Sequence, residues 1–95
     1  MKDKITERLR RYYSLTERAL KKVKIKSGLS KKEKLFAEDF LDMAQRYFSD
    51  AKYFEEKKDL PTALAAVTYA HAWLDAGARV GWFETGGDTE LFAAD

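Results

Sequence analysis

His71, Asp75 and Arg79 follow one another at four-residue spacing, with Thr68 one turn before them. At about 100° per residue these four lie along one narrow stripe of a helix. They are the only plainly polar residues between Ala63 and Phe83. In that arrangement Asp75 could orient the His71 imidazole for proton transfer, and Arg79 could hold a phosphate or carboxylate. A hydrolase or transferase needs more than this. The chain has no second histidine, no cysteine and no serine in a nucleophile elbow. A polar stripe on an apolar helix is also what exposure to water produces, so catalysis ranks last among the readings and the chain is not expected to be an enzyme. If the second and third helices pair about a midpoint near residue 59, Tyr47 should lie opposite His71, and Asp39 opposite Arg79.

Other chemistries are excluded more simply. Without cysteine there is no disulfide framework, thiolate zinc site or iron–sulfur ligation. Glu38, Asp39 and Asp42 cluster, but a di-iron bundle site needs paired Glu-x-x-His segments and none occurs. Gly86-Gly87 follows a helix and is not followed by the lysine-serine of a phosphate loop. No cofactor and no metal is expected.

Charge offers a better-formed pattern. Residues 1 to 34 carry thirteen of the eighteen Lys and Arg against four acids, while residues 35 to 95 carry five bases against twelve acids. Lys4, Arg8, Arg11, Arg18 and Lys22 fall on one flank of the first helix, beside Tyr12 and Tyr13. Such a flank could follow a phosphate backbone or meet the acidic remainder of the protein.

Breakers place these residues on three long helices. The only proline is Pro61, and the glycines stand at 28, 77, 81, 86 and 87. Ile5, Leu9, Tyr12, Thr16, Ala19 and Val23 form the seam of a first helix over about 3–26, broken only by Thr16. Ser30-Lys31-Lys32-Glu33 is a capping box that starts a second helix over about 31–57. Phe36, Phe40, Met43, Tyr47 and Phe54 make its stripe, widened by Ala44 and Ala51. Asp59 caps a third helix over about 60–83, with Pro61 in its first turn. Short connections then predict an all-α, antiparallel up-down-up three-helix bundle with a short C-terminal tail at 84–95. Ninety-five residues make one domain.

The third helix is apolar nearly all round. Ala63, Ala66, Ala70, Gly77 and Gly81 give it a small-residue face, and Tyr69, Trp73, Ala76 and Val80 a second apolar line that two neighbours cannot both cover. Either the tail folds back through Leu91 and Phe92, or another chain covers the line. The expected interface residues are therefore Tyr69, Trp73 and Val80, with Leu41 and Phe48 of the second helix.

The run Tyr69-Ala70-His71-Ala72-Trp73-Leu74-Asp75-Ala76-Gly77-Ala78-Arg79-Val80-Gly81 resembles the archaeal helical family known as domain of unknown function 357. The capped turn at Asp59 with Ala63-Leu64, and Asp50-Ala51 with Tyr53-Phe54, fit it too. The resemblance implies a small all-α bundle and supplies no catalytic residues. Absence of Asn and Cys, with a heavy Lys, Arg and Glu load, agrees with a heat-adapted archaeal origin. No stretch suits a membrane span, and MKDKITERLRR lacks the apolar core of a signal peptide, so the expected address is cytoplasmic. The leading expectation is a non-enzymatic protein-interaction or self-association module. Its alternative is a nucleic-acid-binding accessory domain using the basic flank of the first helix.

Overall fold

The structure is a computed structural model and describes residues 3–93. Three helices carry it: α1 (Lys4–Lys22), α2 (Lys31–Glu56) and α3 (Leu60–Arg79). α1 and α3 run the same way and α2 runs against both, which is the up-down-up bundle that the breakers imply. The expected single domain over 1–95 includes residues 1, 2, 94 and 95, which lie outside the described residues.

Each helix begins where a side chain satisfies a free backbone N–H. Asp3 accepts from the Thr6 N–H at 2.7 Å, and Asp59 from the Thr62 N–H at 3.2 Å. At α2 both halves of the capping box are formed: the Glu33 N–H donates to Ser30 Oγ, and the Ser30 N–H to Glu33 Oε1.

The helix ends come earlier than the apolar spacing suggests. Val23 is already extended, and Lys24–Ile25 form a two-residue strand, β1. β1 pairs antiparallel with β2 (Phe83–Glu84), Lys24 opposite Glu84 and Ile25 opposite Phe83. A further bond from the Lys26 N–H to the Trp82 carbonyl continues the ladder. α3 stops at Arg79 rather than near residue 83 because Gly81 takes a left-handed backbone at φ +84°. The Trp82 N–H then bonds back to the Gly77 carbonyl, and the Gly81 N–H to that of Ala78. That is the Schellman closure, which uses glycine at this position. It turns the chain so that the Phe83 ring lies on Gly77, in the space that a Cβ would occupy.

α3 sits between the other two helices, and α1 touches α2 only slightly. One core cluster gathers Leu9, Phe48, Ala51, Ala63, Val67 and Ala70. The other gathers Ala19, Ala44, Leu74, Phe83, Leu91 and Phe92 toward the opposite end. The molecule is accordingly a rod with extents of 49 × 23 × 18 Å. On α2 the buried seam is Ala37, Ala44, Phe48 and Ala51, rotated from the expected line through Phe36, Phe40, Met43, Tyr47 and Phe54. Small residues occupy the closest approach, and the aromatics fan out beside it.

Beyond β2, Gly86 and Gly87 both have positive φ, and the Asp88 N–H returns to the Thr85 carbonyl at 3.3 Å. This tight turn sends the tail back along the bundle. Leu91 and Phe92 are buried there, and burying each contributes about 1.5–3 kcal/mol. No described helix is long and apolar enough to cross a membrane.

Candidate functional site

The polar stripe of α3 faces the tail. His71 Nε2 lies 2.8 Å from the Leu91 carbonyl oxygen, and Nδ1 lies 3.0 Å from Thr16 Oγ1 on α1. A carbonyl only accepts, so Nε2 carries a proton and donates it; in the neutral ring Nδ1 then accepts from the Thr16 hydroxyl. Thr16 is fully buried. The one polar break in the α1 seam thus has a definite partner fifty-five residues away. One turn further along α3, Asp75 Oδ1 accepts from the Ala93 N–H at 2.9 Å and stands 3.6 Å from His71 Nε2. His71 and Asp75 together clasp the returning chain.

Arg79 does not join them. It is exposed and makes no ion pair or side-chain hydrogen bond among the described residues. Both imidazole nitrogens are occupied, and none of the three main hollows is lined by His71, Asp75 or Arg79. Nor does Tyr47 lie opposite His71: its ring packs edge-on against Tyr69 at 4.4 Å. Residue 71 sits about 200° around the helix from residue 69, which turns it from α2 toward α1 and the tail. Asp39 and Arg79, expected to pair, form no ion pair among the described residues.

The basic flank of α1 divides in two. Arg18 meets Glu90 at 3.5 Å, and Lys22 meets Asp88 at 3.1 Å, so its C-terminal half is occupied by the tail's acids. Lys4, Arg8 and Arg11 border an open hollow of 340 Å³ with Glu7. Asp88 organises the tail: its Oδ1 accepts from the Glu90 and Leu91 N–H groups, and its Oδ2 from Lys22 Nζ. The Leu91 N–H, and after it Lys22, hold its carboxyl below the usual aspartate value.

With α2, α1 and the tail each covering part of α3, one stripe is left open. Pro61, Ala65, Tyr69, Ala72, Ala76 and Val80 are all exposed. Tyr69 is 49% exposed and Val80 55%. Trp73 is half-buried at the edge of this stripe, packed edge-on against Phe40 at 4.9 Å, with its indole N–H buried and unpaired. Tyr47, Tyr69, Trp73, Phe40, Trp82 and Phe36 form an unbroken series of ring contacts along the α2–α3 seam. Beside it lies an apolar hollow of 240 Å³ whose walls include Tyr47, Phe54, Ala65 and Tyr69. Leu41 is half-buried against the core. Phe48 is corrected from interface to core: it is 8% exposed and meets the Tyr13 ring at 5.6 Å.

A third hollow, of 380 Å³, opens where α1 and α2 scarcely touch, and its walls include Tyr13, Lys52 and Glu55. The Tyr13 hydroxyl is buried without a hydrogen bond. Burial, and then the negative charge of Glu55, push its pKa up to about 12. Thr16 and Asp88 escaped the sequence reading as site residues. Thr16 carried a signal, since a hydroxyl inside an apolar seam demands a partner; Asp88 carried only its place after two glycines.

A family model described as "Protein of unknown function (DUF357)" matches residues 11–83, which takes in α1 from residue 11 onward and all of α2 and α3, and stops before the tail. No curated protein and no solved structure matches the chain.

Proposed function

The chain belongs to the DUF357 family, and from that premise we propose that it works by contact rather than by catalysis, as a self-associating module whose docking face is the open stripe of α3. One observation carries this reading: six apolar residues from Pro61 to Val80 stay exposed within an arc of roughly 100°, with Arg79 at its edge the one other exposed residue of the helix. Exposed apolar area of that continuity marks an interaction surface. A second copy of the chain is the occupant that suits it. The six positions are symmetric about the point between residues 70 and 71, so an antiparallel copy related by a twofold sets Tyr69 on Ala72, Ala65 on Ala76 and Pro61 against Val80. Large then meets small, and alanine backbones approach closely. Trp73 and the aromatic seam border this face. The family resemblance supports an archaeal source, and the Lys-, Arg- and Glu-rich composition without Asn supports a heat-adapted one.

Light scattering tests the proposal. The wild-type chain is expected at twice its own mass. Ala72→Arg, which sets a charge at the centre of the stripe without disturbing the core, should return it to the monomer with unchanged helicity. A wild type that stays monomeric at every concentration tried would rule the reading out.

A further inference from the structure

The sequence concentrates positive charge where the fold relieves only part of it. Residues 21 to 34 hold seven lysines and one acid. Lys22 is taken by Asp88, Lys21 lies 4.0 Å from Glu17, and Lys24 stands opposite Glu84 in the ladder. Lys26, Lys31, Lys32 and Lys34 remain: all four are exposed, with no ion pair among the described residues. Glu33, the acid among them, points its carboxylate back to the Ser30 N–H inside the capping box.

Three of these lysines occupy the first turn of α2, where the helix dipole is positive and cations are disfavoured. A fold selected for stability alone would set Asp or Glu there. Beside them the Phe36 ring lies stacked on Trp82 at 5.7 Å with an interplanar angle of 27°, and Phe36 is 43% exposed. The Trp82 carbonyl holds the Lys26 N–H, and Lys32 Nζ lies 5.9 Å from the Phe36 ring centre. Four ammonium groups without an ion pair, a helix N-terminus and a partly exposed Phe36 ring, with only the exposed Lys32 side chain over it besides Trp82, therefore share one end of a 49 Å rod.

We infer that this β1–α2 end binds single-stranded nucleic acid, its phosphates held by Lys26, Lys31, Lys32 and Lys34 and one base stacked on Phe36. Phosphates satisfy the cations and the helix dipole together. A base offers the flat partner that an exposed ring beside lysines accepts, and single strands leave bases free to take it. The site is separate from the α3 stripe and does not depend on self-association. It also differs from the α1 flank, half of which the tail occupies.

Fluorescence anisotropy with a labelled twelve-nucleotide oligouridylate tests it. With four phosphates engaged, affinity should fall roughly fiftyfold between 50 and 200 mM KCl. Lys31→Glu/Lys32→Glu/Lys34→Glu should abolish binding while raising the melting temperature, because acids in a first helical turn suit the dipole; loss of binding then has no unfolding behind it. Phe36→Ala should weaken binding roughly tenfold and leave the salt slope unchanged. Lys4→Glu/Arg8→Glu/Arg11→Glu should leave affinity within about twofold. No binding at 50 mM KCl overturns the inference, as does binding that survives the Lys31, Lys32 and Lys34 reversal or is lost in the α1 variant. Binding to vesicles of phosphatidylglycerol with none to the oligonucleotide overturns it in favour of a lipid surface.

Discussion

Lys58 holds its backbone at φ +64°, a left-handed conformation that costs a side chain with a Cβ roughly 1 kcal/mol or more. It stands there because the turn between α2 and α3 closes as Gly81 closes α3: the Asp59 N–H returns to the Phe54 carbonyl, and the Lys58 N–H to that of Glu55. Nothing in the described contacts uses the lysine side chain. Lys58→Gly should therefore stabilise the fold by about 0.5–1 kcal/mol, which for a chain of this length raises the melting temperature by a few degrees in a thermal scan. An unchanged or lower melting temperature would mean that the turn is held by something other than its φ. Residue types predict such places unevenly. Gly81 and Ser30 advertise what they do, whereas a lysine doing a glycine's work carries no mark. Thr16 and His71 are intermediate, since both are visibly out of place among apolar neighbours but their pairing depends on how α1 and α3 are rotated.

The tail is the element where charge and packing coincide. Leu91 and Phe92 supply the buried surface, while Asp88, His71, Asp75 and Arg18 fix the register. The Asp88 carboxyl titrates below its ordinary 3.8, with the Leu91 N–H as the first cause and Lys22 next. A depressed carboxyl stabilises the fold above the unfolded value and ceases to do so as pH falls through the folded one. Hydrogen exchange at the Glu90 and Leu91 amides should therefore stay protected down to about pH 4 and open below it. Asp88→Asn should remove that pH dependence and leave the amides less protected throughout. Helix starts and the two-glycine turn were legible in the residues, because capping and positive φ are local. The two short strands and the rotation of the α2 seam were not. Both are set by what lies opposite, and a two-residue ladder has too few residues to alternate.

At the scale of the molecule, the proposed pairing of two copies through the open stripe would give stability a concentration dependence. If two copies bury it, association is linked to folding, and the melting temperature must rise with protein concentration. Ala72→Arg should show one melting temperature across a hundredfold range of concentration, and the wild type a steady climb. Equal and flat curves for both would contradict self-association. The three-helix count, the antiparallel order and the surplus apolarity of α3 could all be read from spacing. Which arc of α3 the tail takes could not, because tail and stripe compete for it with residues of the same kind.

α1 and α2 lean on α3 and scarcely on each other. During synthesis from the N-terminus, the first two helices leave the ribosome with their apolar seams facing water and nothing yet made to receive them. The two helices therefore consolidate only once α3 has emerged to receive them, and until then both seams stay open to whatever else is near.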